Sequence, residues 1–152
     1  MVFFSLTFYN MFSREEAKRV REEFWTNFGK EYPRKWVLYD TKIKDIQLKF
    51  TFSNENAVVS LDITSPDEII REYYFEKMQA LQNILLTEYL PDAEYEPNYE
   101  LPEGKTISRV YVKIKRVNIY RKTDWLLVQE FLYDRMDLLE RFFLEYRDVI
   151  DS

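Results

Sequence analysis

The sequence predicts an α+β domain, an antiparallel or mixed sheet of about five strands covered by helices. Three observations carry that reading. Apolar and polar side chains alternate in twos between Ile43 and Ile63, apolar residues recur at helical spacing through Ser65–Tyr89 and again from Asp124 to about Asp148, and the polar stretch from Ser53 to Asn56 is short enough to join antiparallel neighbours. A chain of 152 residues is one domain by size, and its 2 glycines and 5 prolines leave little room for linkers.

Taken in order, Met1–Tyr9 is bland apolar sequence suited to an edge strand or a packed arm. Ser13 and Glu16 then spell a capping box, with Phe12 placed to staple onto Ala17, so a helix should open there and run to about Phe28. Its inward stripe is Ala17, Val20, Phe24, Trp25 and Phe28; Gly29 can end it and Pro33 forbids its resumption. Trp36–Tyr39, Ile43–Phe52 and Ala57–Ile63 read as a three-strand meander with one buried face.

Ser65 can cap the next helix, Pro66 suits its first position, and Glu68 can close a capping box. The helix through Tyr89 has a wide apolar surface, Ile70 to Leu85, fitted to packing on both the sheet and a flanking helix. Ala93–Tyr99 is a short strand that Pro97 confines to an edge. Thr106–Ile114 is a further strand, and Val117–Tyr120 a short continuation or return. Thr123 or Asp124 caps the last helix, whose stripe is Trp125, Val128, Leu132, Met136, Leu139, Phe143 and Tyr146.

Several phrases occur here together: FSREEAKRVREEFWTNFG, WVLYDTKIKDIQLKF, IIREYYFEKMQAL, SRVY at Ser108–Tyr111, and the Asp124-Trp125 pair opening a helix. With them the chain resembles, from Phe12 to Tyr146, a family of bacterial domains of unknown function, common in Bacteroidetes and found alone or C-terminal to nuclease-like regions. The resemblance implies no activity, cofactor or catalytic residue. It also implies a start near Met11, which makes residues 1–10 either an N-terminal extension of the domain or a misassigned start.

Composition narrows the chemistry. With no cysteine and no histidine, the sequence excludes disulfides, thiolate nucleophiles, Cys- or His-based metal sites and every His-dependent catalytic arrangement. Neither a basic leader nor an apolar run long enough to span a bilayer is present, which points to the cytoplasm and away from membranes. No catalytic, metal or cofactor-binding residue is assigned, and no cofactor is expected.

The element order also matches, loosely, a restriction-nuclease core, whose chemistry needs an acidic residue and a D/E-x-K on adjacent strands. The strands offer only Gln47-x-Lys49 with Asp40 or Asp45 nearby, and Ser60-x-Asp62. The true matches, Glu16-x-Lys18 and Glu103-x-Lys105, fall on a helix and in a turn.

The sharpest feature is charge. Residues 105–122 carry 7 basic and no acidic groups, directly after a segment, 88–104, with 6 acids and no base. Alternation puts Arg109, Tyr111, Lys113 and Lys115 on one exposed strand face; with Arg116 they are the candidate nucleic-acid or anion-binding residues, a phosphate track with an aromatic platform. The opposing reading has lysines guarding an edge strand and the neighbouring acids, Glu88, Asp92, Glu94, Glu96, Glu100 and Glu103, neutralising them. Those acids lack the spacing of a calcium loop, and Glu72 with Glu76, one helical turn apart, is a common surface pair. The leading expectation is a non-catalytic cytoplasmic interaction domain, with a homodimer through aromatic helix faces as a candidate partner; nucleic-acid binding on a degenerate nuclease-like fold is the alternative.

Overall fold

A computed structural model describes residues 2–152, with side chains from Arg14 onward. The chain forms α1 (Val2–Glu31), β1 (Ile46–Phe52), β2 (Asn56–Ile63), α2 (Glu68–Ala80), a turn of helix α3 (Gln82–Ile84) running into a π-turn (Leu85–Tyr89), β3 (Glu94–Glu100), β4 (Thr106–Lys115) and α4 (Trp125–Ile150). The class is α+β, with one antiparallel sheet of four strands in the order β1-β2-β4-β3.

α1 is helical from Val2, so its backbone does not supply the edge strand expected before Ser13. The side chains of the Phe12 staple and the Ser13 cap lie outside the described residues. Gly29 does not stop the helix; it ends two residues later, where Pro33 cannot continue it, and Tyr32 N–H still donates to Phe28 O at 3.0 Å.

The expected first strand of the meander, Trp36–Tyr39, is an irregular segment, which is why four strands form rather than five and why the loosely nuclease-like order loses its third strand. Side-chain bonds hold this segment in place of a ladder. Arg34 lies 4.0 Å over the Trp36 ring and donates to Asp137 and Glu140 of α4, while Val37 N–H donates to Glu140 Oε2 at 2.8 Å. Leu38, Lys42 and Asp45 take positive φ of 44°, 66° and 71°, which coils the chain between them. One bond, Leu48 N–H to Leu38 O, ties the segment to β1.

The helix expected as one piece from Ser65 to Tyr89 breaks at Leu81. Asp67, not Ser65, caps α2, accepting from Ile69 N–H at 2.9 Å, and Ser65 Oγ accepts from Asp67 N–H one step earlier. Pro66 and Glu68 therefore do not play their expected capping parts. Beyond Leu81 the π-turn closes with Leu90 N–H on Leu85 O, and its longer period lets Leu81, Leu85 and Leu90, spaced four and five apart, all reach the core. α2 packs on the sheet and on α4 through Phe75 and Met78, but the expected wide apolar surface is only partly used, since Ile70 and Tyr73, with Ile69, are left exposed.

β3 is an edge strand, as Pro97 requires, and its pairing with β4 is interrupted between Glu96 and Tyr99. The expected strand at Val117–Tyr120 is a turn anchored by Ile119 N–H to Ser53 O and by Trp125 Nε1 donating to Ile119 O at 2.7 Å. Asp124 precedes α4 without capping it, since its carboxylate accepts instead from Asn118 N–H and Arg121 Nε.

Register assigns the faces. Leu48, Leu61 and Val110 share one face with Phe50, Val59 and Val112 beside them, and on this face Phe24 and Phe28 of α1 meet Phe52 and Phe50, Phe75 of α2 meets Tyr95, and α4 delivers Leu132, Met136 and Phe143 to the same core. The other face carries Gln47, Lys49 and Thr51 of β1, Val58, Ser60 and Asp62 of β2, Ile107, Arg109, Tyr111 and Lys113 of β4, and Glu94, Glu96 and Tyr99 of β3. β2 is buried along both faces rather than on one.

Candidate functional site on the polar sheet face

Three cross-strand rows build this face. Gln47, Asp62, Arg109 and Glu96 form one; Lys49, Ser60, Tyr111 and Glu94 the next; Thr51, Val58 and Lys113 the third. Asp62 and Arg109 are directly opposed, which brings the two charges together by register alone. Arg109 Nε and Nη2 donate to Asp62 Oδ1 and Oδ2 at 2.8 and 2.9 Å, the two-pronged fork that a planar guanidinium offers a carboxylate. Both side chains are almost fully buried.

The interruption in β3 completes the cluster. By simple alternation Asn98 would follow Glu96 on this face; the extra residue puts Tyr99 there instead, its ring 4.4 Å from the Arg109 guanidinium and 5.8 Å from Tyr111. Burial alone would lower the Arg109 pKa, but the bonds and charge of Asp62 outweigh it and raise it, so the guanidinium stays ionised. Tyr111 donates to Glu96 Oε1 at 2.8 Å, and burial followed by that bond pushes its hydroxyl well above the ordinary tyrosine range. Ser60 Oγ and Thr51 Oγ1 are buried on the same face without a hydrogen-bond partner among the described residues.

The candidate basic track is thus split. Arg109 and Tyr111 do lie with Lys113 and Lys115 on one strand face, yet they are buried, not exposed, because β3 brings Glu96 and Tyr99 against them. Lys113 is half-buried, and Lys115 and Arg116 are exposed at the strand end, Arg116 in a left-handed turn (φ 63°) whose N–H donates to Glu55 O. Further along, Arg121 pairs with Asp124 and Lys122 with Glu23 of α1. Lys113, Lys115 and Arg116 enter no ion pair among the described residues.

The nuclease candidates are placed as follows. Register sets Lys49 beside Ser60 and Gln47 beside Asp62. Asp62, the carboxylate opposite Gln47, is committed to Arg109; Asp40 is exposed and pairs with Lys42, whose hydrogen bond and charge hold its pKa low; Asp45 sits in the turn before β1, its carbonyl accepting from Thr64. Glu16-x-Lys18 lies on α1 and Glu103-x-Lys105 between β3 and β4. No group of three metal-ligating side chains occurs among the described residues, so neither the 88–104 acids nor Glu72 and Glu76 come together as one. The Asp62–Arg109–Tyr99 cluster escaped sequence reasoning because it depends on strand register and on a break in alternation. Its visible traces were only an Asp and an Arg at polar-phase positions of two strands.

A family model described as a domain of unknown function (DUF4268) matches residues 20–147, from within α1 to within α4, and the chain belongs to that family. No curated protein and no solved structure matches the chain.

Proposed function

We propose that this member of the family is a non-catalytic interaction domain of the bacterial cytoplasm that associates with a second copy of itself. The observation that carries the reading is a contrast between two surfaces. On the polar sheet face four groups able to do acid-base or anion chemistry, Asp62, Arg109, Tyr111 and Glu96, are spent on one another. On α2, by contrast, Ile69 and Tyr73 stand one turn apart on the same side with 76% and 45% of their surface exposed, large apolar side chains that burial against a partner would favour. No described helix is long and apolar enough to cross a membrane, which accords with this reading. The aromatic stripes of α1 and α4, Phe24, Phe28, Phe142 and Phe143, fill the core and leave self-association to such peripheral positions. Sedimentation of the wild-type chain at micromolar concentration should give twice its 18.7 kDa, and Ile69→Glu with Tyr73→Glu should return it to the monomer. A single species at the chain mass removes the proposal.

A second reading rests on Lys113, Lys115 and Arg116, whose ammonium and guanidinium groups are not neutralised by described carboxylates. Nucleic-acid binding through them predicts that affinity for a labelled oligonucleotide, followed by anisotropy, falls with log salt at a slope of about −3 for three phosphate contacts. Reversing the three charges should abolish it. Absence of binding at low salt ends this reading without touching the first.

A further inference from the structure

We infer that the turn after β4 is a base-stacking platform for single-stranded nucleic acid, with the Tyr120 ring as its surface and Arg21 of α1 as a further phosphate contact. The platform rests on the nucleic-acid reading of Lys113, Lys115 and Arg116 and specifies the form of strand those cations receive. Lys113 and Lys115 stand on one face of β4, two residues and so about 7 Å apart, close to the step between successive phosphates of an extended strand. Arg116 follows in its left-handed turn, and Arg121 Nη2 donates back to Arg116 O at 3.2 Å, which folds the segment 116–121 on itself and keeps Tyr120 at the basic end of the strand. The turn is well anchored. Ile119 is buried and its N–H donates to Ser53 O, while Tyr120 N–H donates to Asn118 Oδ1 at 2.9 Å. On this fixed backbone the Tyr120 ring is left 43% exposed.

Arg21 sets the ring's orientation. It is exposed, its Nη1 donates to the Tyr120 hydroxyl at 2.7 Å from 99 residues away, and it enters no ion pair among the described residues. A guanidinium has five donors, so those left over from this bond are open to a phosphate. The acids nearest in sequence to the two sides are already taken, Glu23 by Lys122 and Asp124 by Arg121. A base stacked on Tyr120 thus has Arg21 at the hydroxyl end of the ring for one flanking phosphate, and the β4 cations for phosphates further along. Glu55, on the adjoining β1–β2 turn, is exposed and opposes an anionic strand, so the contact depends on the ring as well as on charge. Duplex is disfavoured because its bases are stacked on one another, whereas a single strand offers a free π-face at each nucleotide. An acidic protein segment would meet the cations but has no flat face to lay on the ring.

The test is fluorescence anisotropy on the intact chain with a labelled oligothymidylate, compared with the same strand paired to its complement and with an abasic strand of equal length. The single strand should bind at least about fivefold more tightly than either, the gain from one stacked base. Tyr120→Ala should raise its dissociation midpoint at least about fivefold without changing the salt slope, since the ring carries no charge, and Tyr120→Phe, which keeps the ring, should stay within about threefold of the wild type. Arg21→Gln should make the salt slope shallower by about 0.7, the share of one phosphate contact on a single strand. Circular dichroism melts check that each variant is folded. Equal binding of the abasic strand or the duplex, or a Tyr120→Ala variant that binds like the wild type, overturns the platform and leaves the charge-based reading standing. No binding of any strand at low salt removes both.

Discussion

At the residue scale the governing fact is that Asp62 and Arg109 are buried together on the polar face of the sheet. Removing both ions from water is expensive, and the two-pronged geometry with Tyr99 over the guanidinium offsets that expense only while both partners are present. Asp62→Ala should therefore lower stability in urea denaturation by about 3–5 kcal/mol, since it strands a buried cation. Adding Arg109→Met should restore most of the loss, because the unpaired charge goes with it. A double variant as unstable as Asp62→Ala would mean that the pair is needed for more than mutual neutralisation. Arg71, the other buried arginine, is bonded instead to the Ser65 and Pro66 carbonyls, and no ion pair forms on it among the described residues.

At the scale of elements, what could be read from the sequence is what depends on neighbours a few residues apart. The alternation in Ile43–Phe52 and Ala57–Ile63 located the β1–β2 hairpin, Pro97 located the edge strand, and the stripe from Trp125 to Tyr146 located α4 with its inward side chains. Local pattern misleads where a distant partner overrides it. Trp36–Tyr39 has strand-like composition, but the Arg34 guanidinium and the Glu140 carboxylate, more than a hundred residues apart, hold it irregular. Gly29 is a helix stop in isolation and is carried through by Phe28 packing on Phe24 and Phe50. The break at Leu81 and the π-turn follow from where the core lies. The candidate site divides the same way: alternation correctly put Arg109, Tyr111, Lys113 and Lys115 on one face, and only register could show that Asp62, Glu96 and Tyr99 were waiting for the first two.

At the scale of the whole molecule, the absence of histidine and cysteine leaves no side chain whose ordinary pKa falls between about 5 and 8, while 12 tyrosines titrate near pH 10. Burial, the largest cause in each case, raises the pKa of Tyr32, Tyr74, Tyr89, Tyr95 and Tyr111, furthest for Tyr95 and Tyr111; the Glu96 carboxylate adds to the effect at Tyr111. A group whose folded pKa lies above its unfolded value of about 10 stabilises the fold fully below that pH, and the contribution is lost as pH rises toward the folded value. The thermal midpoint should accordingly be level from about pH 6 to 9 and decline above about pH 10. There the unfolded chain releases tyrosine protons that the folded chain retains, and Tyr95 and Tyr111 together should cost about 2–3 kcal/mol per pH unit. Circular dichroism melts across that range check the shape, and Tyr111→Phe should flatten the alkaline limb by one tyrosine's share, about 1.4 kcal/mol per pH unit, while keeping the ring against Tyr99. A transition centred near neutral pH would show that some other group, not these tyrosines, controls the fold.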